Sequence, residues 1–259
     1  LAEAGCNIID AQQFDDRAFN HFFMRVVLDA GEISETELRT GFDPIAKEFS
    51  MSWTLRDRSQ PMKVLIMVSK FDHCLLDLLY RQSIGELSME VVGVVSNHPR
   101  RAEDARAIVG IPYHHLPISP ETKRDQEMKV LELIEASGTE LVVLARYMQI
   151  LSPEFVERLE GRCINIHHSF LPGFKGAKPY HQAFERGVKM IGATSHYVTS
   201  DLDEGPIIAQ DTKPISHRHS AEELVTIGRD VERRVLASAV KAHIEERVFQ
   251  YQNRTVVLE

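Results

Sequence analysis

From Lys63 onward, continuous apolar runs alternate with amphipathic stretches, and this alternation restricts the possible folds more than any other feature. The apolar runs are KVLIMVS, MEVVGVVS, ELVVLA and CINIH, and the intervening helical patterns include HCLLDLLYRQ, RAEDARAIVG and ETKRDQEMKVLELIEASG. Strands that are apolar throughout are typical of a parallel sheet covered by helices on both faces. The pattern therefore predicts a mostly parallel α/β sheet over residues 63–259.

The last third of the chain departs from this alternation. ATSHYVT and PIIAQDTKPI resemble two strands of a hairpin, which would add an antiparallel edge to the sheet. Ser220 and Glu223 have the spacing of a capping box, so we expect a long helix to begin there and to reach about Val248.

The first 57 residues form a second, smaller pattern of strand, strand, helix and strand. NIIDAQQF and HFFMRVVL predict two strands, Ser34 with Glu37 predicts the start of a helix, and SWTLRD predicts a short third strand. LAEAGCN resembles the tail of a helix that ends at Gly5, so we expect this α+β domain to be N-terminally incomplete. A sheet this small should need a partner surface. We expect domains at 1–57 and 63–259, joined by a linker at 58–62.

Composition excludes several classes of function. A formal net charge of −8 argues against a nucleic-acid partner, and no apolar run approaches the roughly 18 residues of a membrane span. The three cysteines are few, odd in number and widely spaced, which favours reduced thiols over a disulfide framework. The N-terminal stretch LAEAGCN shows no readable secretory signal, so we expect a cytoplasmic protein without a membrane partner.

Candidate functional residues cluster in the loops that follow the predicted strands. In α/β sheets, ligands bind at the carboxyl ends of the strands. Asn165 and His167 lie two residues apart at one strand end and so share a face, and Asp203 lies in a loop closed by Gly205 and Pro206. An amide, an imidazole and a carboxylate are the groups that acyl transfer from an amide-like donor requires.

Other interpretations of these residues remain open on spacing alone. His167 could be a strand-end histidine bonded to the backbone, and Asn165 and Asp203 could be turn formers. A metal site built from the histidines is disfavoured, because no Asp, Glu or Cys lies beside them at ligand spacing. The sequence contains no GxSxG, P-loop or GxGxxG motif, and Cys163 lies inside an apolar strand. The histidines considered are His167, His168, His181 and His196.

The stretch NIHHSFLPGFKGAKPYHQAFERGVKMIGATSHYVTSDLDEGPIIAQD resembles the signature of the folate-dependent formyltransferase fold, and most closely its formyltetrahydrofolate deformylase branch. The combination of N-I-H, S-x-L-P and L-D-x-G-P in this order is specific, and the resemblance extends from about Lys63 to the C-terminus. It implies a Rossmann-like catalytic domain. The N-terminal piece is similar, more weakly, to an ACT-like (ferredoxin-like) regulatory domain.

The resemblance also implies roles for particular residues. Asn165, His167 and Asp203 take the places of the family's catalytic residues, with no metal or cofactor. The N-terminal domain implies a homo-oligomer and an amino-acid effector such as methionine or glycine. The folate-binding residues are expected to be Leu144, Met148, Gln149, Ile150, Leu151, Val198, Thr199 and Leu202.

The activity implied is hydrolysis of 10-formyltetrahydrofolate to tetrahydrofolate and formate, which would supply formate for purine synthesis and balance the one-carbon pool. The alternative is formyl transfer to an amine such as glycinamide ribonucleotide. In the glycinamide ribonucleotide enzymes that the resemblance includes, the loop after the first strand is rich in Gly, Ser and Asn and lets backbone amides approach a phosphate. Here the loop Ser69–His73 has no glycine and carries Phe71 and Asp72, which argues against transfer, although Lys70 could pair an anion. His168 also stands where the transferases usually have proline.

Two further alternatives remain at this level. Asp203 either orients and deprotonates the attacking water or chiefly keeps His167 cationic. A non-catalytic folate or amino-acid sensor is a third hypothesis, disfavoured because all three chemical residues are present.

Overall fold

The computed structural model describes residues 1, 4–100, 108–173 and 179–259. The chain divides into two compact units, one comprising Leu1–Pro61 with Leu258–Glu259 and the other comprising Met62–Val257. No helix among the described residues is long and apolar enough to cross a membrane.

The N-terminal unit contains a hairpin and one helix. Strands β1 (Asn7–Asp16) and β2 (His21–Asp29) pair antiparallel, and α1 runs from Glu35 to Glu48. The helix begins as predicted, because the Ser34 side chain accepts from the Glu37 amide and the Glu37 carboxylate accepts from the Ser34 amide.

The strand predicted over SWTLRD is wrong, since none of its residues is in a strand. Contacts with α1 take the place of sheet pairing. Trp53 packs edge-on against Phe42 with ring centroids 4.8 Å apart, and the Leu55 carbonyl accepts a hydrogen bond from Arg39. The two-stranded arrangement leaves the ACT-like identification a prediction.

The larger unit is built on a seven-stranded sheet with the order β5-β4-β3-β6-β7-β8-β9. The first five strands in this order are parallel, and β8 and β9 add an antiparallel edge. The prediction of a mostly parallel sheet with a terminal hairpin is confirmed. The strands are β3 (Met62–Val68), β4 (Met89–Ser96), β5 (Tyr113–His115), β6 (Leu141–Leu144), β7 (Cys163–His167), β8 (Met190–Tyr197) and β9 (Ile207–Pro214).

Helices cover both faces of this sheet. The helix predicted over 101–110 falls mainly on residues 101–107, which lie outside the described part of the chain. The long last helix starts at its predicted capping box and ends at Ile244, slightly earlier than expected. The remaining elements are α2 (His73–Ser83), α3 (Lys123–Ser137), α4 (Pro153–Glu157), α5 (Pro179–Arg186), α6 (Ala221–Ile244), and the hairpin of β10 (Val248–Tyr251) and β11 (Arg254–Val257).

The two faces of the sheet belong to different hydrophobic clusters. Ile164 and Ile166 of β7 pack with residues of α2 and α6, whereas Cys163 packs with residues of α3 and α4. Side chains alternate along a strand, so Asn165 and His167 lie on the α3–α4 face. The alternation of buried side chains along β7 therefore determines that Asn165 and His167 share the α3–α4 face.

Candidate active site

Asn165, His167 and Asp203 come together at the carboxyl end of β7. The Nδ1 atom of His167 lies 3.3 Å from Oδ1 of Asp203. Asn165 reaches the same carboxylate through His196, whose Nε2 atom is 3.2 Å from Asn165 Nδ2 and 3.7 Å from Asp203 Oδ1. The structure thus brings the three sequence-predicted side chains into one site and adds a fourth.

The loop after β8 holds Asp203 in an unusual backbone conformation. Its φ of 59° lies in the left-handed region, which a non-glycine residue adopts at a cost of about 1–2 kcal/mol. Close packing fixes the loop, because a Cβ added at Gly205 would lie 1.8 Å from the Tyr197 carbonyl oxygen. The Tyr197 amide also donates to the Pro206 carbonyl at 2.9 Å. The D-x-G-P spacing therefore aims the carboxylate toward His167.

His196 orients the amide of Asn165. The two residues are direct partners in the antiparallel pairing of β7 with β8. The Nδ1 atom of His196 lies 2.8 Å from the Tyr197 carbonyl, which only accepts, so Nδ1 carries the proton. In the neutral ring, Nε2 is then an acceptor for the Asn165 amide. Sequence reasoning missed this role, and the only available signal was the hairpin pattern, which does not give the register.

His167 has acceptors at both of its ring nitrogens. Its Nε2 atom is 2.9 Å from Ser169 Oγ, which donates its own hydrogen to the Gly173 carbonyl at 2.8 Å and must therefore accept from His167. Nδ1 faces the Asp203 carboxylate. Both contacts are satisfied together when the imidazole carries two protons. The S-x-L-P motif contains Ser169, but the sequence did not predict this role for it.

The carboxyl group of Asp203 is held in its ionised form. The contact with His167, and next that with His196, set its pKa well below the usual range, and they outweigh the opposing effect of partial burial. A stable carboxylate beside two imidazoles is suited to fixing their orientation and protonation states and to orienting a water molecule.

His168 is neutral throughout the neutral pH range. Burial, and next the positive charge of Arg146, lower its pKa to about 3. Its ring lies 5.4 Å from that of His167, centroid to centroid. His168 therefore packs beside the site and contributes no positive charge to it.

The predicted folate-binding residues lie in the loops after β6 and β8, apart from Leu144 at the buried end of β6. Met148, Ile150 and Leu202 are apolar yet 50%, 63% and 58% exposed. Exposed apolar side chains that flank a polar site offer contact area to a flat ring system. Gln149, Leu151, Val198 and Thr199 are half-buried in the same loops. The structure therefore places all eight residues at or after these two strand ends.

One group of side chains among the described residues has the proximity of metal ligands, and it contains none of the histidines considered from the sequence. His73, Cys74 and Glu232 have ligand atoms within 4.8 Å of one another. The group does not fit a divalent cation. Burial, and next the charge of Glu232, raise the pKa of the Cys74 thiol well above its usual value, and the Arg146 guanidinium already lies 3.4 Å from the carboxylate.

Comparison with known proteins identifies the family to which the chain is similar. The formyl transferase family model matches residues 62–240. The formyltetrahydrofolate deformylase of Corynebacterium sp. (strain P-1) is 55% identical over 97% of this chain and 88% of its own, and that of Bacillus subtilis (strain 168) is 48% identical over 99% and 86%.

Solved structures show the same relationship. The formyltetrahydrofolate deformylase of Burkholderia mallei superimposes with a TM-score of 0.94 at 54% identity, covering 100% of this chain and 92% of that one. Glycinamide ribonucleotide transformylase 1 of Symbiobacterium toebii superimposes with a TM-score of 0.71 at 27% identity. That match covers 80% of this chain and 98% of the other. The chain therefore belongs to the formyl transferase family and, within it, to the formyltetrahydrofolate deformylases.

Proposed function

We propose that this enzyme hydrolyses 10-formyltetrahydrofolate to tetrahydrofolate and formate. The observation that carries the proposal is the convergence of Asn165, His167 and Asp203 at one strand end, beside exposed apolar loops. The names of its relatives support the same substrate and the same reaction.

The chemistry follows from the groups in the site. Water adds to the formyl carbon, and the charge that develops on the carbonyl oxygen is stabilised by the His167 imidazolium and the Asn165 amide. The Asp203 carboxylate orients the water and receives its proton. When the bond from carbon to N10 breaks, that proton passes to the nitrogen, leaving tetrahydrofolate and formate.

One carboxylate can serve both roles considered for Asp203. Both histidine contacts use the same oxygen atom, Oδ1, at 3.3 Å from His167 and 3.7 Å from His196. We propose that Oδ1 maintains the imidazolium while Oδ2 meets the water. In this proposal the two roles are divided between the two oxygen atoms of Asp203 rather than between two residues.

The direct test uses purified enzyme and 10-formyltetrahydrofolate, with formate and tetrahydrofolate both measured. We expect equimolar products without any amine. Formyl transfer that starts only after glycinamide ribonucleotide is added would establish the transferase alternative. Folate binding with no turnover under either condition would establish the sensor alternative.

The proposed cellular role is to supply formate for purine synthesis and to balance the one-carbon pool, in the cytoplasm. All three cysteines are buried free thiols, as suits a reducing compartment. The mechanism needs neither a resident metal nor a cofactor, because the two side-chain donors and one carboxylate supply the charge stabilisation and the proton transfer.

We also propose that the N-terminal unit pairs with a second copy and binds an amino-acid effector such as methionine or glycine. Its β-hairpin exposes Ile9 by 65%, Phe22 by 58% and Met24 by 46%. A two-stranded sheet with such surface gains stability when another sheet covers it. Light scattering at micromolar concentration should give at least a dimer, and a monomer mass would contradict the pairing. Calorimetric titration with methionine and with glycine tests the effector, and no heat of binding with either amino acid would contradict that part.

A further inference from the structure

A second cluster of ionisable side chains lies outside the catalytic machinery. Its centre is Glu232 on α6, which is 1% exposed. Tyr180 donates to Oε1 at 2.5 Å, His73 Nε2 lies 2.8 Å from Oε2, and Arg146 Nε lies 3.4 Å from Oε2. We call these four residues the Glu232 cluster.

The Glu232 cluster occupies part of the edge where an α/β sheet normally binds ligands. His73 begins α2 after β3, and Arg146 follows β6 by two residues, so both stand near carboxyl ends of parallel strands. A carboxylate, a phenol, an imidazole and a guanidinium at this edge are groups that could hold a polar ligand. In this enzyme they contact one another instead.

The backbone of Arg146 is bent to make this contact. Strand alternation would place Arg146 on the same face as Leu144, which packs in the α3–α4 cluster. Its φ of 66° is left-handed, and its side chain contacts Glu232 on the opposite, α6 side. A non-glycine residue keeps this conformation where contacts with the surrounding structure hold it there. The contact with Glu232 is one such contact.

The charges of the cluster neutralise one another. Burial raises the pKa of Glu232, but the hydrogen bond with His73 and the charge of Arg146 lower it more, so the group is ionised at neutral pH. Burial, and next the charge of Glu232, raise the pKa of Tyr180, which stays a neutral donor. Both carboxylate oxygens are thus occupied by protein groups.

The cluster is also held rigidly close to the catalytic centre. The Tyr180 ring packs over Gly228, where an added Cβ would lie 2.1 Å from a ring carbon. The same ring has its centroid 6.2 Å from that of His168, and the His168 ring lies 5.4 Å from His167. A second substrate that approached His167 from this side would therefore have to displace the cluster.

We propose that the Glu232 cluster closes the α2–α6 half of the carboxyl edge to amine acceptors and so leaves water as the acceptor of the formyl group. This inference rests on the hydrolysis proposed above. Folate takes the half beside Met148 and Ile150 in that proposal, and the space between Arg146, His73 and Tyr180 is filled by their contacts with Glu232. The cluster is thus a determinant of hydrolysis over transfer.

An opened site would be chemically competent to transfer. A neutral amine forms a bond to the formyl carbon, the bond to N10 breaks, and the amine gives up a proton while N10 gains one. This formyl transfer needs no oxidant, reductant or cofactor. The catalytic groups that stabilise the oxyanion would be unchanged.

The test measures how the formyl group is partitioned between water and a small amine, either glycinamide or hydroxylamine. Arg146→Gly is the best variant, because glycine accepts a positive φ without strain, and Nε and Nη1 of Arg146 have no hydrogen-bond partner in the described part of the chain. Arg146→Gly with Glu232→Gln removes both charges together. Arg158→Ala, which breaks an exposed pair with Glu135, is the matched control.

The parent and Arg158→Ala should give formate with almost no formylated amine. The two cluster variants should raise the ratio of formylated amine to formate at least ten-fold, whatever happens to the total rate. A merely structural role would lower the rate and leave this ratio unchanged, and that result in folded variants would overturn the inference. The inference would also be overturned if the parent formylated the amine as readily as the cluster variants do.

Two further outcomes separate this inference from the proposed function. If circular dichroism shows that the charge variants do not fold, Tyr180→Phe removes one hydrogen bond from Glu232 and keeps the ring. Its ratio should still rise above that of the parent, and an unchanged ratio would overturn the inference. A parent that releases no formate, with or without amine, would contradict hydrolysis itself.

Discussion

Asp203 combines an ionised carboxylate with a left-handed backbone, and neither feature serves the packing of the core. Its side chain is only 13% exposed, and its carboxylate contacts His167 and His196. We therefore attribute the strained loop to the chemistry of the site.

Replacing Asp203 with asparagine should lower kcat by about 10²–10³-fold and leave the KM for folate nearly unchanged. Asparagine keeps the size and tolerates the positive φ, but it loses the charge and the basicity. Steady-state kinetics with matched thermal melts measures both effects. A kcat near that of the parent would remove Asp203 from the mechanism. His167→Ala should cost a similar factor, and the double variant should lose less than the product if the two act as one unit.

His168 makes the enzyme sensitive to mild acid through its pKa of about 3 in the folded state. The unfolded chain binds a proton near pH 6.5 and the folded one does not. Stability is therefore lost as the pH falls below about 6.5, by at most about 1.4 kcal/mol per pH unit. In His168→Gln, the free energy of unfolding, measured with urea, should depend less on pH between pH 6.5 and 4 than it does in the parent. His217→Gln, at an exposed position, should match the parent, and an unchanged slope in His168→Gln would contradict the argument.

At the scale of elements, the turn between β8 and β9 is determined by close backbone contact. Gly205→Ala would place a Cβ 1.8 Å from the Tyr197 carbonyl, so the loop must move. We expect loss of most activity and a lower melting temperature. The control is Gly41→Ala in α1, where nothing lies within 4 Å of the added atom and about 0.5–1 kcal/mol of stabilisation is expected. Equal melting temperatures for Gly205→Ala and the parent would show that the loop accommodates the methyl group.

Helices α2 and α6 are tied together by the contact of His73 with the buried Glu232. Glu232→Ala removes the carboxylate and leaves the Arg146 guanidinium buried without its counter-charge, which typically costs about 3–5 kcal/mol. Asp211→Ala breaks an exposed pair with Arg234 and should cost at most about 1 kcal/mol. Urea denaturation measures both, and similar losses in the two variants would show that burial adds nothing to this ion pair.

For the whole molecule, the proposed reaction depends only on side chains of the chain. Prolonged treatment with EDTA followed by gel filtration should therefore leave kcat unchanged within about two-fold. Added Zn²⁺ or Mg²⁺ should not raise it. Metal analysis of the active enzyme is the accompanying measurement, and activity that is lost with the chelator and restored by one metal would contradict the proposal.

Acid should also weaken the whole fold through Asp203. Its pKa is depressed in the folded state, so its contribution is present above about pH 4, the value of an unperturbed carboxyl, and is lost as the pH falls further. Asp203→Asn should therefore be less stable than the parent at pH 7, and the difference should shrink near pH 3. Denaturant unfolding at the two pH values checks this sign, and a difference that grew on acidification would contradict it.

Local patterns were sufficient for most of the architecture. The apolar runs of the parallel strands, the hairpin pattern of the antiparallel edge and both capping boxes are visible in short stretches of sequence, and the N-I-H and L-D-x-G-P motifs already identified Asn165, His167 and Asp203. The roles assigned to these three residues still await the kinetic tests above.

Long-range pairing decided the rest. His196 reaches Asn165 only because β8 pairs with β7 in one register, and the S-x-L-P motif contains Ser169 without showing that its hydroxyl reaches His167. The strand expected at SWTLRD does not form, because its residues contact α1 instead. The contacts of Glu232 join α6 to residues 52 to 159 positions away. Residue types at such separations carry no pattern of their own, so only the folded chain shows that they meet.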